Sequence, residues 1–258
     1  MKEVRGSHRN VSKRRVALRA TLLRMSYGYK LGHIPSALSM LDYWDEVNDL
    51  IDYSVDKLVI GKPYGAQAYA AVWGKPIGTY GLTDAHPNVV WADATLGNAL
   101  GIAAGLAYGD ARRIFVNSGD GCLSSGPTLE ALAYLGSGRH PFAHKVLLCV
   151  DCNGVQLQSP TFYSAHQWGH ILNAMGWDSY VFDGHALSLG TTLRVRYNYQ
   201  GPDLVRPTAW LFSTTKGKGV SFMEADPVGW HYRIMESNDY CRAMLNVQGD
   251  LSIEEELQ

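Results

Sequence analysis

Two short stretches hold the residues whose types and placement suggest chemistry: Asp120 in Gly119-Asp120-Gly121, and Asn153 in Asp151-Cys152-Asn153-Gly154. A carboxylate and an amide oxygen that converge with loop carbonyls make a hard oxygen site. Magnesium suits such a site, above all when phosphate oxygens complete its shell. The glycines beside Asp120 let backbone approach those phosphates closely. Other glycine-rich patterns fit less well. Gly119-x-Gly121-x-x-x-x-Gly126 lacks the Lys-Ser/Thr ending of a phosphate loop and the third glycine of a dinucleotide fingerprint. Taken alone, the pair reads equally as a Gly-Asp-Gly turn and an unrelated Asn-Gly turn.

What brings the two stretches together is the pattern around them. Residues 113–118 (RIFVNS) and 145–150 (KVLLCV) are short apolar, β-branched runs that end at turn residues, as buried strands do. Between them, residues 127–135 carry Leu129, Leu132, Ala133 and Leu135 on a helical repeat. Pro127 suits the first helical position and Gly136 the residue past the last. Strand, helix, strand with a right-handed crossover makes the strands parallel. Asp120 and Asn153 then lie beyond the carboxyl ends of both strands, where open α/β sheets bind ligands.

With that spacer of roughly thirty residues, Gly119-Asp120-Gly121 and Asn153 resemble the thiamine diphosphate signature, and the surrounding sequence is similar to the transketolase family. The resemblance implies an α/β thiamine diphosphate-binding fold, a mostly parallel sheet with helices on both faces. It implies that Asp120, Asn153 and the Val155 carbonyl hold magnesium, or calcium or manganese in its place. That ion anchors the cofactor's diphosphate, beside Gly119 and Gly121. Gly32-His33-Ile34-Pro35-Ser36 is similar to the family's Gly-His-Pro-Gly-Ser, with the proline shifted, and implies that His33 reaches the active-site cavity. Thr215-Lys216-Gly217-Lys218-Gly219 with Trp230-His231 downstream matches closely and implies the same for His231. Lys216 and Lys218 are read as solvated loop charges without a catalytic assignment.

The departures matter as much. In Gly61-Lys62-Pro63-Tyr64-Gly65-Ala66, Tyr64 stands where the family carries an active-site histidine. Tyrosine can donate a hydrogen bond to the cofactor region but cannot change charge near neutral pH. Ser125 replaces a glutamate that, in the family, lies near the dimer interface. Glu130, one turn later, is retained. The resemblance allows it a place in a proton relay, while a helix N-terminus alone would also favour it. His86-Pro87 and residues 93–101 resemble a family segment that opens a small-residue helix at 96–108, with Asn98 placed to face the cofactor. Gln158-Ser159 replaces an Asp-Gly. Residues 168–177 resemble the family's Trp-x-Ala-Phe-Gly-Trp helix end, and the turn Asp183-Gly184-His185 is read as structural.

The remaining helices and strands fit one α/β domain spanning residues 1–258: helices at 11–31 and 37–51, and strands at 57–60, 179–182 and 208–213. Residues 1–10 and 249–258 are expected to fray. Hydrophobic residues make up 46% and charged residues 18%, so the chain is expected to be globular. A formal net charge of −1 gives no footprint for nucleic acid or an anionic membrane. Cys122, Cys149, Cys152 and Cys241 are read as reduced thiols. No apolar run approaches the ~20 residues of a membrane span. The basic first forty residues read as the solvated face of an integral helix, and the chain as cytoplasmic.

The resemblance covers residues 10–245 here but only the first domain of a full-length transketolase. It therefore implies the N-terminal subunit of a split enzyme, active only with a second polypeptide that holds the cofactor's aminopyrimidine, in an assembly of two copies of each. The implied reaction moves a two-carbon ketol unit from a ketose phosphate to an aldehyde. Tyr64 leaves open a pyruvate-dependent transfer of an acetyl unit. A non-catalytic scaffold is a further alternative, against which stand Asp120, Asn153, His33 and His231. A magnesium phosphohydrolase would need a nucleophile or base beside Asp120, and none is evident.

Overall fold

A computed structural model of the chain describes residues 8–75, 89–92, 95–157, 159–198 and 205–256. His86, Pro87, Asp93, Ala94 and Gln158, singled out in the sequence, lie outside them, as do residues 1–7 and 257–258. In chain order the elements are α1 (His8–Gly28), α2 (Ile34–Asn48), β1 (Lys57–Ile60), α3 (Ala66–Trp73), β2 (Val89–Ala92), α4 (Ala99–Leu106), β3 (Ile114–Gly119) and α5 (Asp120–Leu123). Then come α6 (Gly126–Gly136), β4 (Val146–Cys152), α7 (Ala165–Ala174), β5 (Asp178–Asp183), α8 (Leu189–Asn198), β6 (Thr208–Ser213), α9 (Ser221–Ala225) and α10 (Ser237–Glu256).

The six strands form one sheet in the order β2-β1-β3-β4-β6-β5, with every neighbouring pair parallel. Side chains alternate across it, as a period of two demands. Leu58, Ile60, Phe115, Leu147, Cys149, Trp210 and Phe212 pack on one face with α1, α2, α3 and α8. Val59, Ile114, Val116, Val146, Leu148, Val150 and Leu211 pack on the other with α4, α6 and α7. Strands covered on both faces read as continuous apolar runs, which is how β3, β4 and β6 announce themselves in the sequence.

The chain leaves β1 outward to β2, then returns past β1 to β3. The β1/β3 boundary is therefore a topological switch point, where the flanking loops diverge and open a crevice. One polar group is buried just beneath it. Asn117, in β3, accepts from the Tyr43 hydroxyl at 2.9 Å and donates to the Tyr69 hydroxyl at 2.7 Å, so the amide is satisfied in the interior.

Several boundaries differ from the expected ones for local reasons. α1 stops at Gly28, before the left-handed Lys30 (φ 54°), rather than running to 31. α2 begins at Ile34, with Pro35 in its first turn, and ends at Asn48 rather than 51. α4 begins at Ala99 rather than 96, because Gly97 turns the chain at φ 97°. α10 runs from Ser237 to Glu256. The helix end at 168–177 locks α7 onto α6: a Cβ on Gly136 would lie 1.9 Å from the Met175 carbonyl oxygen, and Trp177 Nε1 donates to the Leu132 carbonyl at 2.9 Å.

Candidate active site

Four adjacent strands, β1, β3, β4 and β6, deliver their carboxyl ends to one edge, and the turn before α2 closes over it. A cavity of about 250 Å³ lies there, lined by His33, Tyr64, Gly119, Asp120, Gly121, Asn153, Val155 and His231. Of the ten candidate catalytic, cofactor and metal residues, these eight share one cavity, and Asn98 and Glu130 do not. Lys62, Cys122, Gln156 and Tyr232 line it as well.

Asp151, at the end of β4 and beside Gly119 of β3, organises the cavity floor. It is fully buried. Burial alone would raise its pKa, yet the Lys62 ammonium and hydrogen bonds hold it below the usual carboxylate range. Lys62 Nζ donates to Oδ2 in a buried ion pair. Ser39 Oγ donates to Oδ2 and Thr214 Oγ1 to Oδ1, each at 2.5 Å. Asn153 Nδ2 donates to Oδ2 at 3.0 Å. That bond orients the Asn153 amide: its nitrogen faces Asp151, and its oxygen turns back to accept from the Val155 N–H at 3.1 Å.

Asp120 opens α5 and is equally buried, but its partners are different. Oδ1 accepts from the Gly121 N–H at 2.9 Å and Oδ2 from the Gly154 N–H at 2.8 Å. The second bond joins the β3 and β4 turns. Burial, with the charge of Asp151 added, outweighs these donors and Lys62 and pushes its pKa up to about 6. Among the described residues this carboxylate has no ion-pair partner.

A hard divalent ion fits that deficit. Asp120, the Asn153 amide oxygen and the Val155 carbonyl are the oxygen set magnesium takes, leaving positions for phosphate and water. Among the described residues no cluster of three or more His, Cys, Asp or Glu is placed to hold a metal. The fold itself leaves room at Gly119 and Gly121. Gly119 has an ordinary φ of −118°, and added Cβ atoms would meet only the Lys62 and Gln156 side chains at 3.4 Å or more.

His33, Tyr64, His231 and Tyr232 form a further part of the lining. His33 sits at φ 56°, and its backbone N–H donates to the His231 carbonyl at 3.0 Å, joining the α1–α2 turn to the 230–232 segment. The His33 ring lies 4.9 Å from Tyr64, 5.0 Å from His231 and 4.7 Å from Tyr232, centroid to centroid. Burial, then the charges of Lys216 and Lys62, push the His33 pKa down to about 4. Burial, Lys216 and neighbouring His33 do the same to His231, also to about 4. Both imidazoles are neutral at neutral pH.

Lys216 corrects the reading of a solvated loop: it is 3% exposed. Its ammonium reaches the Val155 and Gln156 carbonyls, each at 3.4 Å, and His231 Nδ1 at 2.9 Å. Burial and the charge of Lys62 lower its pKa to about 8. The turn at His185, read as structural, ties into the same loop, since His185 Nε2 accepts from the Thr215 N–H at 2.9 Å.

Asn98 and Glu130 are not brought to this cavity. Both are exposed and line a separate groove of about 670 Å³ between α4 and α6. Ser125, at the family's glutamate position, bonds locally: its hydroxyl lies 2.8 Å from the Cys122 carbonyl and 2.9 Å from Thr128 Oγ1. All four cysteines are free, and Cys122, Cys149 and Cys152 are buried. No helix among the described residues is long and apolar enough to cross a membrane.

No protein-family model matches the chain. It is similar to transketolase-like protein 2 of Mus musculus, 28% identical over 205 residues, which cover 70% of this chain and 31% of that protein. It is similar to one subunit of the apulose-4-phosphate transketolase of Phocaeicola vulgatus, 25% identical over 263 residues, 89% of this chain and 90% of that one. Among solved structures, a transketolase from Leishmania mexicana matches with a TM-score of 0.64 at 18% identity, covering 98% of this chain and 46% of that one. That likeness speaks for the fold. The chain spans about a third of the length of the first curated relatives it matches.

Proposed function

We propose that this chain, a transketolase homologue in sequence and in fold, is the cofactor-anchoring N-terminal subunit of a two-component, thiamine diphosphate-dependent transferase of the cytoplasm. The observation that carries the reading is the convergence of Asp120, Asn153 and the Val155 carbonyl on one cavity at the carboxyl ends of β3 and β4. These groups would hold magnesium, and through it the cofactor's diphosphate. Bound there, the cofactor supplies an electron sink that lets a carbon–carbon bond beside a carbonyl break and re-form. The chain's own part is to bind, orient and exclude water. Asp151 aims the Asn153 amide, and Lys62 neutralises Asp151. His33 and His231 stay neutral and offer hydrogen bonds to a polar ligand, with the Tyr64 hydroxyl at the same wall.

The rest of the machinery belongs to a partner polypeptide with a pyrimidine-binding region, in an assembly of two copies of each. Support comes from the Phocaeicola vulgatus relative, whose name makes it one subunit of its enzyme and which is matched over 90% of its length. Full transketolases, by contrast, are matched only in part. The transferred group is a two-carbon ketol unit, the donor a ketose phosphate and the acceptor an aldehyde. The test mixes this chain with the polypeptide encoded beside it, magnesium and thiamine diphosphate. Consumption of fructose 6-phosphate, xylulose 5-phosphate and pyruvate is then compared. Consumption of a ketose phosphate only when both polypeptides are present is the expected result. Carbon dioxide released from pyruvate, with both ketose phosphates untouched, overturns the ketol assignment.

A further inference from the structure

Two histidines flank the 215–217 loop, His231 in the cavity wall and His185 behind it, and the proton each carries is dictated by its neighbours. An ammonium group has three N–H donors and no lone pair to offer. Lys216 has three acceptors around it: the Val155 carbonyl, the Gln156 carbonyl and His231 Nδ1. A ring nitrogen 2.9 Å from such a group must present its lone pair. The single proton of the neutral His231 ring then belongs on Nε2.

His185 has the opposite arrangement. Its Nε2 faces the Thr215 backbone N–H, which can only donate, so its proton belongs on Nδ1 and points to Asp42 Oδ2 at 2.8 Å. Asp42 is itself buried and held by Arg19 at 2.6 Å. On the other side of Lys216, the Gly217 N–H donates to the Pro35 carbonyl at 3.0 Å. The backbone on both sides of Lys216 is thus pinned, one side through Asp42 and His185 and the other through the turn that begins α2. The direction of the Lys216 side chain is built into the fold.

We propose that Lys216 is a positioning residue that holds His231 as the Nε2–H tautomer, so that His231 meets a ligand in the cavity as a hydrogen-bond donor and not as a base. The tautomer stands on this chain alone; its use toward an anionic or carbonyl oxygen rests on the function proposed above. A donor of fixed orientation suits an oxygen that gains negative charge, because it needs no reorganisation when that charge develops.

The test is a long-range proton–nitrogen spectrum of the full chain, with its nine histidines labelled with nitrogen-15, at pH 7 without cofactor or partner. The variant His231→Gln identifies the ring by the loss of its signals. The expected pattern is a protonated-type Nε2 and a lone-pair-type Nδ1, with that preference lost in Lys216→Met. A wild-type Nδ1–H ring, or an unchanged pattern in a folded Lys216→Met, overturns the proposal. Should Lys216→Met fail to fold, the wild-type spectrum alone decides. Failure to bind the cofactor would leave this spectrum unaffected, so the two readings fail separately.

Discussion

Two buried aspartates stand at neighbouring strand ends, and the fold treats them in opposite ways. Asp151 is surrounded by Lys62, Ser39, Thr214 and the Asn153 amide, and its charge is stabilised within the chain. Asp120 receives two backbone N–H groups as its close donors and the repulsion of Asp151, and its pKa rises to about 6. Asp151 is part of the scaffold, complete without a ligand. Asp120 is not neutralised in this way, and the proposed function assigns its charge to a divalent ion. The comparison separates what holds the site together from what the site is for, although both residues are of one type at one sheet edge.

The largest effect expected is on the self-sufficient aspartate. Lys62→Met leaves Asp151 buried and uncompensated and should cost about 3–5 kcal/mol of stability, read from urea unfolding. A loss below about 1 kcal/mol would mean that the Ser39 and Thr214 hydroxyls suffice, and would blur the contrast. Asp120→Asn should go the other way. The folded pKa of Asp120 lies above its ordinary value, so its ionisation destabilises the ligand-free fold as pH rises through about 6. Removing that charge should leave stability at pH 7 unchanged or raise it by up to about 2 kcal/mol. It should also abolish magnesium-dependent diphosphate binding.

The same sign gives a pH prediction. Below about 6 an incoming ion must displace a proton from Asp120, so magnesium-assisted affinity should fall by roughly tenfold per pH unit below that point. Titrations from roughly pH 5 to roughly pH 8, which bracket the ionisation of this carboxyl, would show it. A flat profile would mean that Asp120 stays ionised without the metal. The smallest effect sharpens the boundary of the site. Ser125→Ala removes the hydroxyl that bonds the Cys122 carbonyl and Thr128, and should cost about 1 kcal/mol in thermal unfolding without changing diphosphate affinity.

The Asp120 and Asn153 pair was readable from residue type and spacing, and the His33, Tyr64, His231 and Val155 placements only from the family resemblance. The expected strands at 57–60 and 208–213 match β1 and β6, and Asp120 and Asn153 meet where parallel strands must leave them. These features depend on local patterns and on one crossover. What escaped depends on packing between distant segments. Asp151 read as a turn residue just past the strand at 145–150, and only Lys62 and Ser39, far away in sequence, reveal its role. Lys216 carried the signature of a surface loop, and is buried because His231 and the 155–156 carbonyls close around it. Asn98 was expected inside a helix from 96, but α4 starts at Ala99 after the Gly97 turn, and Asn98 lines the α4–α6 groove instead.

The most direct test of the central claim is a calorimetric titration of the wild-type chain and of Asp120→Asn with thiamine diphosphate, and with inorganic diphosphate, each with and without magnesium. Binding by the wild type only when magnesium is present, and none by a folded Asp120→Asn, is the expected result. Magnesium-dependent binding that is equal in the two proteins would contradict it.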